Sequence, residues 1–511
     1  MAETTETSST ADATAPETTA PATAAPTTPG HADTDAPEPR ATSNRSTTPG
    51  SDAFRDYIAS GWAERTDTLP PAREQARFAA ERRRRLSEAF PGKRLVIPSG
   101  APKQRSNDTD YPYRAHSAFS YLTGWASDAE PGAYLVLEPS DAGHEATLYF
   151  RERAGRDSDE FYANPEIGEF WIGPRPSLAQ VASDLALATK GVADFESVDF
   201  DETTVVLREA DPALPAGAGD SADDELARVL SELRLVKDSY EIAQMREAVA
   251  ATARGFDDVI ADFARSSQHA RGERLVEGVF NTRARLDGNT VGYDTIAASG
   301  PHACILHWTR NDGPVTPGDL ILLDAGVELD SLYTADITRT LPVNGRFTEV
   351  QRTVYEAVRE AADAAFAIVR PGIKFREIHQ AAMAVIARRT AEWGLLPVTA
   401  EQALEADNQQ HRRYMVHGTS HHLGIDVHDC AKARREMYLD GVLEPGMVFT
   451  IEPGLYFQPD DLTVPEEFRG IGVRIEDDIL VTEDGAENLS IGIPRTADDV
   501  EAWYARLNPQ A

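Results

Sequence analysis

Four acidic residues stand where apolar, strand-forming runs meet the rest of the chain. Asp324 closes "DLILLDAG", Glu452 closes "MVFTIEPG", Glu476 follows "GVRI", and Asp336 lies within "LYTADITRTL". An unpaired ionised carboxylate at the end of a buried strand is costly. A chain that repeats this arrangement therefore has to bring a charge partner to the place where the strands meet. "LILL" reads as one strand, and the stretch 332–341, rich in Thr, Tyr and Ile, as a second. A hairpin folded at the midpoint of Asp324 and Asp336, which is Asp330, sets the two aspartates face to face. Opposed like charges destabilise a bare sheet. Two readings stand: solvated carboxylates in a shifted register, or a cation held between them. Asp477 and Asp478, just after Glu476, read as solvated strand-edge residues.

The neutralising group is sought in "HGTSHHLGIDVHD", which carries His417, His421, His422 and His428. Four carboxylates balance two divalent cations, and one imidazole completes such a site without adding charge. Oxygen-rich ligation favours harder ions such as Mn²⁺, with Co²⁺, Fe²⁺ or Zn²⁺ tolerated. Two such ions can share a bridging hydroxide and polarise a carbonyl, which is the chemistry of two-metal hydrolysis.

Composition narrows the partners. The formal net charge is −34 over 511 residues, and nucleic-acid binding needs clustered Lys and Arg. Cys304 and Cys430 are the only cysteines, which excludes a disulfide framework and points to a reducing compartment, the cytoplasm. No run approaches the length of a membrane-spanning helix. The N-terminal stretch has neither the basic start nor the apolar core of a secretory signal.

Along the chain, residues 1–50 are dominated by Thr, Ala, Pro and acidic residues and are expected to form a disordered tail. Residues 51–225 read as an α/β domain: a helix over Pro70–Phe90, then β-rich runs from Arg94, Ala133, Ala146 and Thr204. The run Arg82–Arg85 is expected on the wet face of that helix. "ADPALPAGAGDSADDE" (210–225) reads as a linker. Residues 226–511 form the second domain, opened by an acidic capping box at Asp238 and Glu241, with Ile242, Met245 and Val249 on a core-facing stripe.

These motifs, in this order, resemble the Xaa-Pro aminopeptidases (aminopeptidase P), of the metallopeptidase group with the pita-bread fold. "HGTSHHLGIDVHD", "DAGVELDSLYTADITRT", "IEPGLY" and "GVRIED" follow the family's metal motifs, and "SNDTDYPYRAHSAFSYLTGW" extends the likeness into the first domain. The resemblance implies an α/β (α+β) fold with an N-terminal creatinase-like domain and a C-terminal pita-bread catalytic domain. It implies a homo-oligomer, dimer or tetramer, that acts on peptides with proline second and on neither nucleic acid nor membrane.

By the same resemblance Asp324, Asp336, His421, Glu452 and Glu476 are the metal ligands for two ions, with Mn²⁺ expected. Asp336 and Glu476 bridge both ions. Asp324 serves one ion, and His421 with Glu452 the other. Glu452, His307 and His428 are the implied catalytic residues, and His417, Arg474 and Tyr456 lie against substrate or behind the ligands. His422 is expected to be structural, His411 a surface residue, His302 a loop residue, Cys304 buried and inert, and Trp171 part of a core. The implied reaction is release of the N-terminal residue from Xaa–Pro by a metal-activated hydroxide. A prolidase limited to dipeptides shares the ligands, and a metal-free or creatinase-like protein shares the fold.

Overall fold

The computed structural model describes residues 48–49, 51–107 and 109–509. Apart from Thr48 and Pro49, the expected tail lies outside the described residues. Residues 58 onward form one compact unit, and the architecture below is that unit's.

Its first part is a mixed α/β layer. Helix α1 (Gln75–Ala89) is followed by β1 (Arg94–Pro98), α2 (Ser117–Thr123), β2 (Tyr134–Ser140), β3 (Gly143–Phe150), β4 (Ala188–Gly191) and β5 (Thr204–Val206). The strands make a five-stranded sheet in the order β4-β3-β2-β1-β5, with β4 and β5 parallel to their neighbours and the inner pairs antiparallel. The expected strands are all present. Helix α3 (Asp220–Leu233) begins inside the stretch read as a linker and runs through residue 225. Its Leu226 and Leu230 are buried in the first part's core, because the apolar positions of "ELARVLSEL" fall on one helical face.

The arginine run departs from the reading of a wet face. Arg84 is exposed, but Arg82 and Arg83 are buried. Arg82 donates to Asp238 and to the Tyr121 carbonyl, and lies 3.6 Å from Glu241. Glu241 in turn accepts from the Tyr333 hydroxyl at 3.0 Å. Four successive residues on a helix cannot share one face, so two of the four turn inward and find carboxylate or carbonyl partners.

The second part begins with α4 (Ser239–Ser266), whose Asp238–Glu241 capping box forms as expected. Helix α5 (Gly272–Asp287) packs on α4, and later α6 (Glu349–Ala367) packs on α7 (Phe375–Glu392). Between the two helix pairs lie β6 (Ile296–Ser299), β7 (Leu320–Ala325) and β8 (Ile337–Pro342), an antiparallel sheet with β7 in the centre. Further on, β9 (Val448–Ile451), β12 (Asp477–Val481) and β13 (Ala486–Asn488) make a second sheet. A short ribbon pairs β10 (Gly454–Tyr456) with β11 (Gly472–Arg474), and β11 lies against β7 and β8. Helix α8 (Ala497–Leu507) is the last helix among the described residues.

The hairpin register corrects the midpoint estimate. Asp324 pairs with Thr338, and Glu328 bridges Thr334, which centres the turn on Ser331 and not on Asp330. The turn carries Leu332 in the left-handed region, at φ 69°, and residues 332–336 are not strand. Asp336 therefore stands opposite Gly326. That glycine is required there, because a Cβ would collide with the Ala335 carbonyl oxygen. Leu332 and Tyr333, at the hairpin tip, are buried in the core of the first part together with Leu423 and Ile425. Among the described residues no helix is long and apolar enough to cross a membrane.

Candidate metal centre

The five residues singled out as ligands converge from separate elements. Asp324 lies at the end of β7 and Asp336 just before β8. The Glu476 amide donates to the Thr338 carbonyl, which fixes the break between β11 and β12 beside the hairpin. Residues 419–423 run alongside β9: Thr450 N donates to His421 O, Leu423 N to Val448 O, and Glu452 N to Thr419 O, each at 2.9–3.1 Å. This places the His421 and Glu452 side chains at the hairpin. One donor atom each from Asp336, His421 and Glu476 lies within 4.8 Å of the others. His421 Nε2 is 3.2 Å from Asp336 Oδ2 and 3.9 Å from Glu452 Oε1.

Burial holds the Asp324, Glu452 and Glu476 carboxyls above the usual carboxylate range, and their mutual repulsion adds to the effect. Burial alone would depress the His421 imidazole, yet Asp336 and Glu452 outweigh it and hold it up at about 9. The pocket thus favours positive charge at that nitrogen. The His421 Nδ1 faces the His422 carbonyl oxygen at 3.1 Å, so Nε2 is the nitrogen left for the carboxylates. A donor set of three buried carboxylates, the half-buried Glu452 and the half-buried His421 imidazole, with the Arg474 guanidinium among them, fits divalent cations.

That guanidinium is Arg474. It pairs with Asp324 and donates to Thr338 Oγ1 at 3.2 Å and to the Tyr456 hydroxyl at 3.1 Å. Thr338 Oγ1 in turn donates to Glu476 at 2.7 Å. Tyr456 and His417 are 2.8 Å apart. His417 Nδ1 lies 2.6 Å from the Gly418 carbonyl and 3.6 Å from Glu452. Burial, then Arg474, push the His417 imidazole down to about 3, so it stays neutral. His428 packs edge-on against His421 with ring centroids 4.3 Å apart. The two come together because Gly424 allows a tight reversal: Gly424 N donates to Asp426 O and Asp429 N to His422 O. His307 is exposed, and close enough for its charge to depress both His417 and His428.

Several side chains were not foreseen. The half-buried Tyr293 places its hydroxyl 2.7 Å from Asp324 and 2.5 Å from Asp336. Its only sequence signal is an aromatic residue just ahead of β6. Asp477 and Asp478 are buried, not solvated. Asp477 pairs with Arg339 at 2.7 Å and Arg495 at 2.6 Å, and Asp478 accepts from the Asp336 amide at 3.3 Å. β12 lies between β9 and β13, so it has no wet edge. His411 is likewise buried, against the Ala403 carbonyl at 2.8 Å. Trp171 is 59% exposed and packs in no core. His422 is structural as expected, stacked on Phe375. Cys304 is buried, and burial pushes its thiol up to about 12.

Comparison with known proteins agrees with this geometry. Residues 243–483 match the model of metallopeptidase family M24, and residues 79–199 that of the aminopeptidase P N-terminal domain. Xaa-Pro aminopeptidase 2 of Streptomyces coelicolor is 55% identical over 459 residues, which cover 88% of this chain and 95% of that protein. The chain belongs to the Xaa-Pro aminopeptidases of metallopeptidase family M24. Aminopeptidase PepP of Pseudomonas aeruginosa superposes with a TM-score of 0.73 at 31% identity, covering 86% of this chain and all (100%) of that one. A zinc-substituted Escherichia coli aminopeptidase P in complex with product gives 0.71 at 31% identity, over 84% of this chain and 98% of that one. The fold class that the resemblance implies, a creatinase-like α/β N-terminal domain followed by a pita-bread catalytic domain, agrees with these matches.

Proposed function

We propose that this enzyme releases the N-terminal residue from peptides with proline in the second position, using two divalent cations held by Asp324, Asp336, His421, Glu452 and Glu476. The observation that carries the proposal is the convergence of four carboxylates, three buried and Glu452 half-buried, and one oriented imidazole, bordered by His417, His428, Arg474 and Tyr456. The ions, Mn²⁺ by expectation, polarise the scissile carbonyl and acidify the attacking water when bound.

The chain's own residues do the rest. Glu452, bordered by His417 and His421, takes up the proton of the attacking water at its carboxylate and returns it towards the proline nitrogen. Arg474 holds Asp324 in place and, through Tyr456, orients His417. The neutral His417 ring, with His307 and His428, offers hydrogen bonds to the carbonyl oxygen as charge develops on it. The leaving nitrogen belongs to a tertiary amide and has no N–H, so a site that shapes itself to the proline ring selects it.

The test is metal analysis of freshly purified protein, paired with hydrolysis of Ala-Pro-Ala and of Ala-Pro. Two ions per chain and cleavage of the tripeptide are expected. Cleavage of the dipeptide alone would make the enzyme a prolidase. Absence of ions, together with inertness towards both peptides after Mn²⁺ addition, would overturn the reading.

A further inference from the structure

The loop that carries His307 leaves β6 at Ser299 and returns near Gly313, and both ends are tied to one carboxylate. Glu273, in the first turn of α5, is fully buried. Its Oε1 accepts from the Ser299 amide and lies the same 2.8 Å from His302 Nδ1. Its Oε2 accepts from Trp308 Nε1 at 2.9 Å and from the Gly313 amide at 2.7 Å. An ionised carboxylate offers about four acceptor positions, and here four partners fill them. His302 and Trp308 also stack on each other with centroids 3.9 Å apart. Gly313 leaves no room for a side chain, since a Cβ would lie 2.6 Å from the His302 ring. The return leg is fastened by Asn311, which accepts from Ala297 N at 3.0 Å and donates to Thr295 O at 2.8 Å.

The His307 side chain forms none of these hydrogen bonds to Glu273. It lies between His302 and Trp308, one residue from a side chain that ends on Glu273. We infer that Glu273 is a positioning residue for His307: it gathers the start, the middle and the end of the 299–313 loop on one buried carboxylate and so fixes where that histidine meets substrate. This rests on the reading of His307 as a substrate-facing group. The stretch of chain that bears it is exposed at 305, 307, 309 and 310 and has no strand pairing of its own, so its geometry depends on these ties.

Glu273→Gln keeps the shape but replaces one acceptor oxygen with an amide NH₂ that faces N–H donors in either orientation. The expected result on Ala-Pro-Ala is a fall in kcat/KM of about 10- to 100-fold, carried by kcat, with bound metal unchanged. The double variant Glu273→Gln/His307→Ala is expected to be no worse than His307→Ala alone, because a positioning residue has nothing left to position. Multiplication of the two losses in the double variant would overturn the inference.

Hydrogen exchange across residues 300–312 separates this inference from the role of His307. Faster exchange confined to that loop in Glu273→Gln supports the tie even if His307→Ala proves fully active, in which case only the role of His307 is lost. Unchanged exchange with unchanged activity sinks the tie itself. If Glu273→Gln does not fold, Trp308→Phe removes a single donor to Oε2 and is expected to lower kcat/KM by about 3- to 10-fold, again without adding to His307→Ala; additivity there would also overturn the inference.

Discussion

Two buried charge clusters lie close together in this molecule, and they are built differently. Beneath the histidine loop, Asp429 is held by Lys237 Nζ at 3.1 Å and Arg234 Nε at 3.0 Å, and Arg82 is held by Asp238 and Glu241. Each carboxylate there meets a cation of the chain's own. At the candidate centre, Asp324, Asp336, Glu452 and Glu476 share Arg474 and the His421 imidazole. The first kind of cluster is complete in itself, and its residues fix loops. The second carries an excess of negative charge in a buried place, which is the physical signature of a site made for a cation.

The carboxylate-rich centre is where a single substitution should cost the most. Asp336→Asn removes a charge and an oxygen at the point where His421 and Glu476 converge. Turnover of Ala-Pro-Ala should fall by about three orders of magnitude or more, with loss of at least one ion by metal analysis. Near-normal metal content with near-normal activity would remove Asp336 from the ligand set.

Next in size is a stability contrast between the clusters. Arg82→Met strands the buried Glu241, and with it the half-buried Asp238, and should cost about 3 kcal/mol, read as a lowered denaturant midpoint. In chelator-treated protein, Glu476→Gln should unfold no lower than wild type, since it relieves repulsion that no cation then balances. Mn²⁺ should raise the midpoint of wild type and leave that of Glu476→Gln less changed. If Glu476→Gln destabilises the chelated protein as much as Arg82→Met does, the centre is a self-sufficient network and the distinction fails.

A finer distinction lies within the histidine loop. His428 packs against His421 but is placed as a substrate contact, not a ligand. His428→Ala should lower kcat/KM by about 100-fold with both ions retained, whereas His421→Ala should lose metal under the same dialysis. Equal metal loss in the two variants would show that the roles are wrongly divided.

How much of this was legible in the sequence follows from range. Asp324, Glu452 and Glu476 announce themselves as charges at the ends of apolar runs, and strand ends are set locally. The Asp238–Glu241 cap was legible for the same reason, because its two halves are three residues apart. What stayed hidden depends on distant partners. Tyr293 looks ordinary until the hairpin at 324–336 folds onto it. Asp477 reads as a wet edge until Arg339 and Arg495 arrive, and Glu273 as an ordinary first-turn acid until the 299–313 loop closes over it. The one-residue error in the hairpin centre has a local cause, the left-handed Leu332, which a non-glycine residue does not advertise.

Within the arginine run, the residue that faces solvent should matter least. Arg84 directly follows Arg82 and Arg83 but points to solvent, where it pairs with Glu81 and Glu88 at helical spacing. Exposed pairs of this kind are screened by salt and lose side-chain freedom to form, so they contribute little. Arg84→Ala should leave both the melting temperature and kcat/KM indistinguishable from wild type, at low and at high salt. Its neighbour Arg82, of the same residue type and two positions earlier, is the one whose loss is felt, because it and Glu241 are buried together. A clear drop in melting temperature for Arg84→Ala that persists in high salt would mean that this face of α1 is covered by a second copy of the chain, and that exposure in the single chain misjudges it.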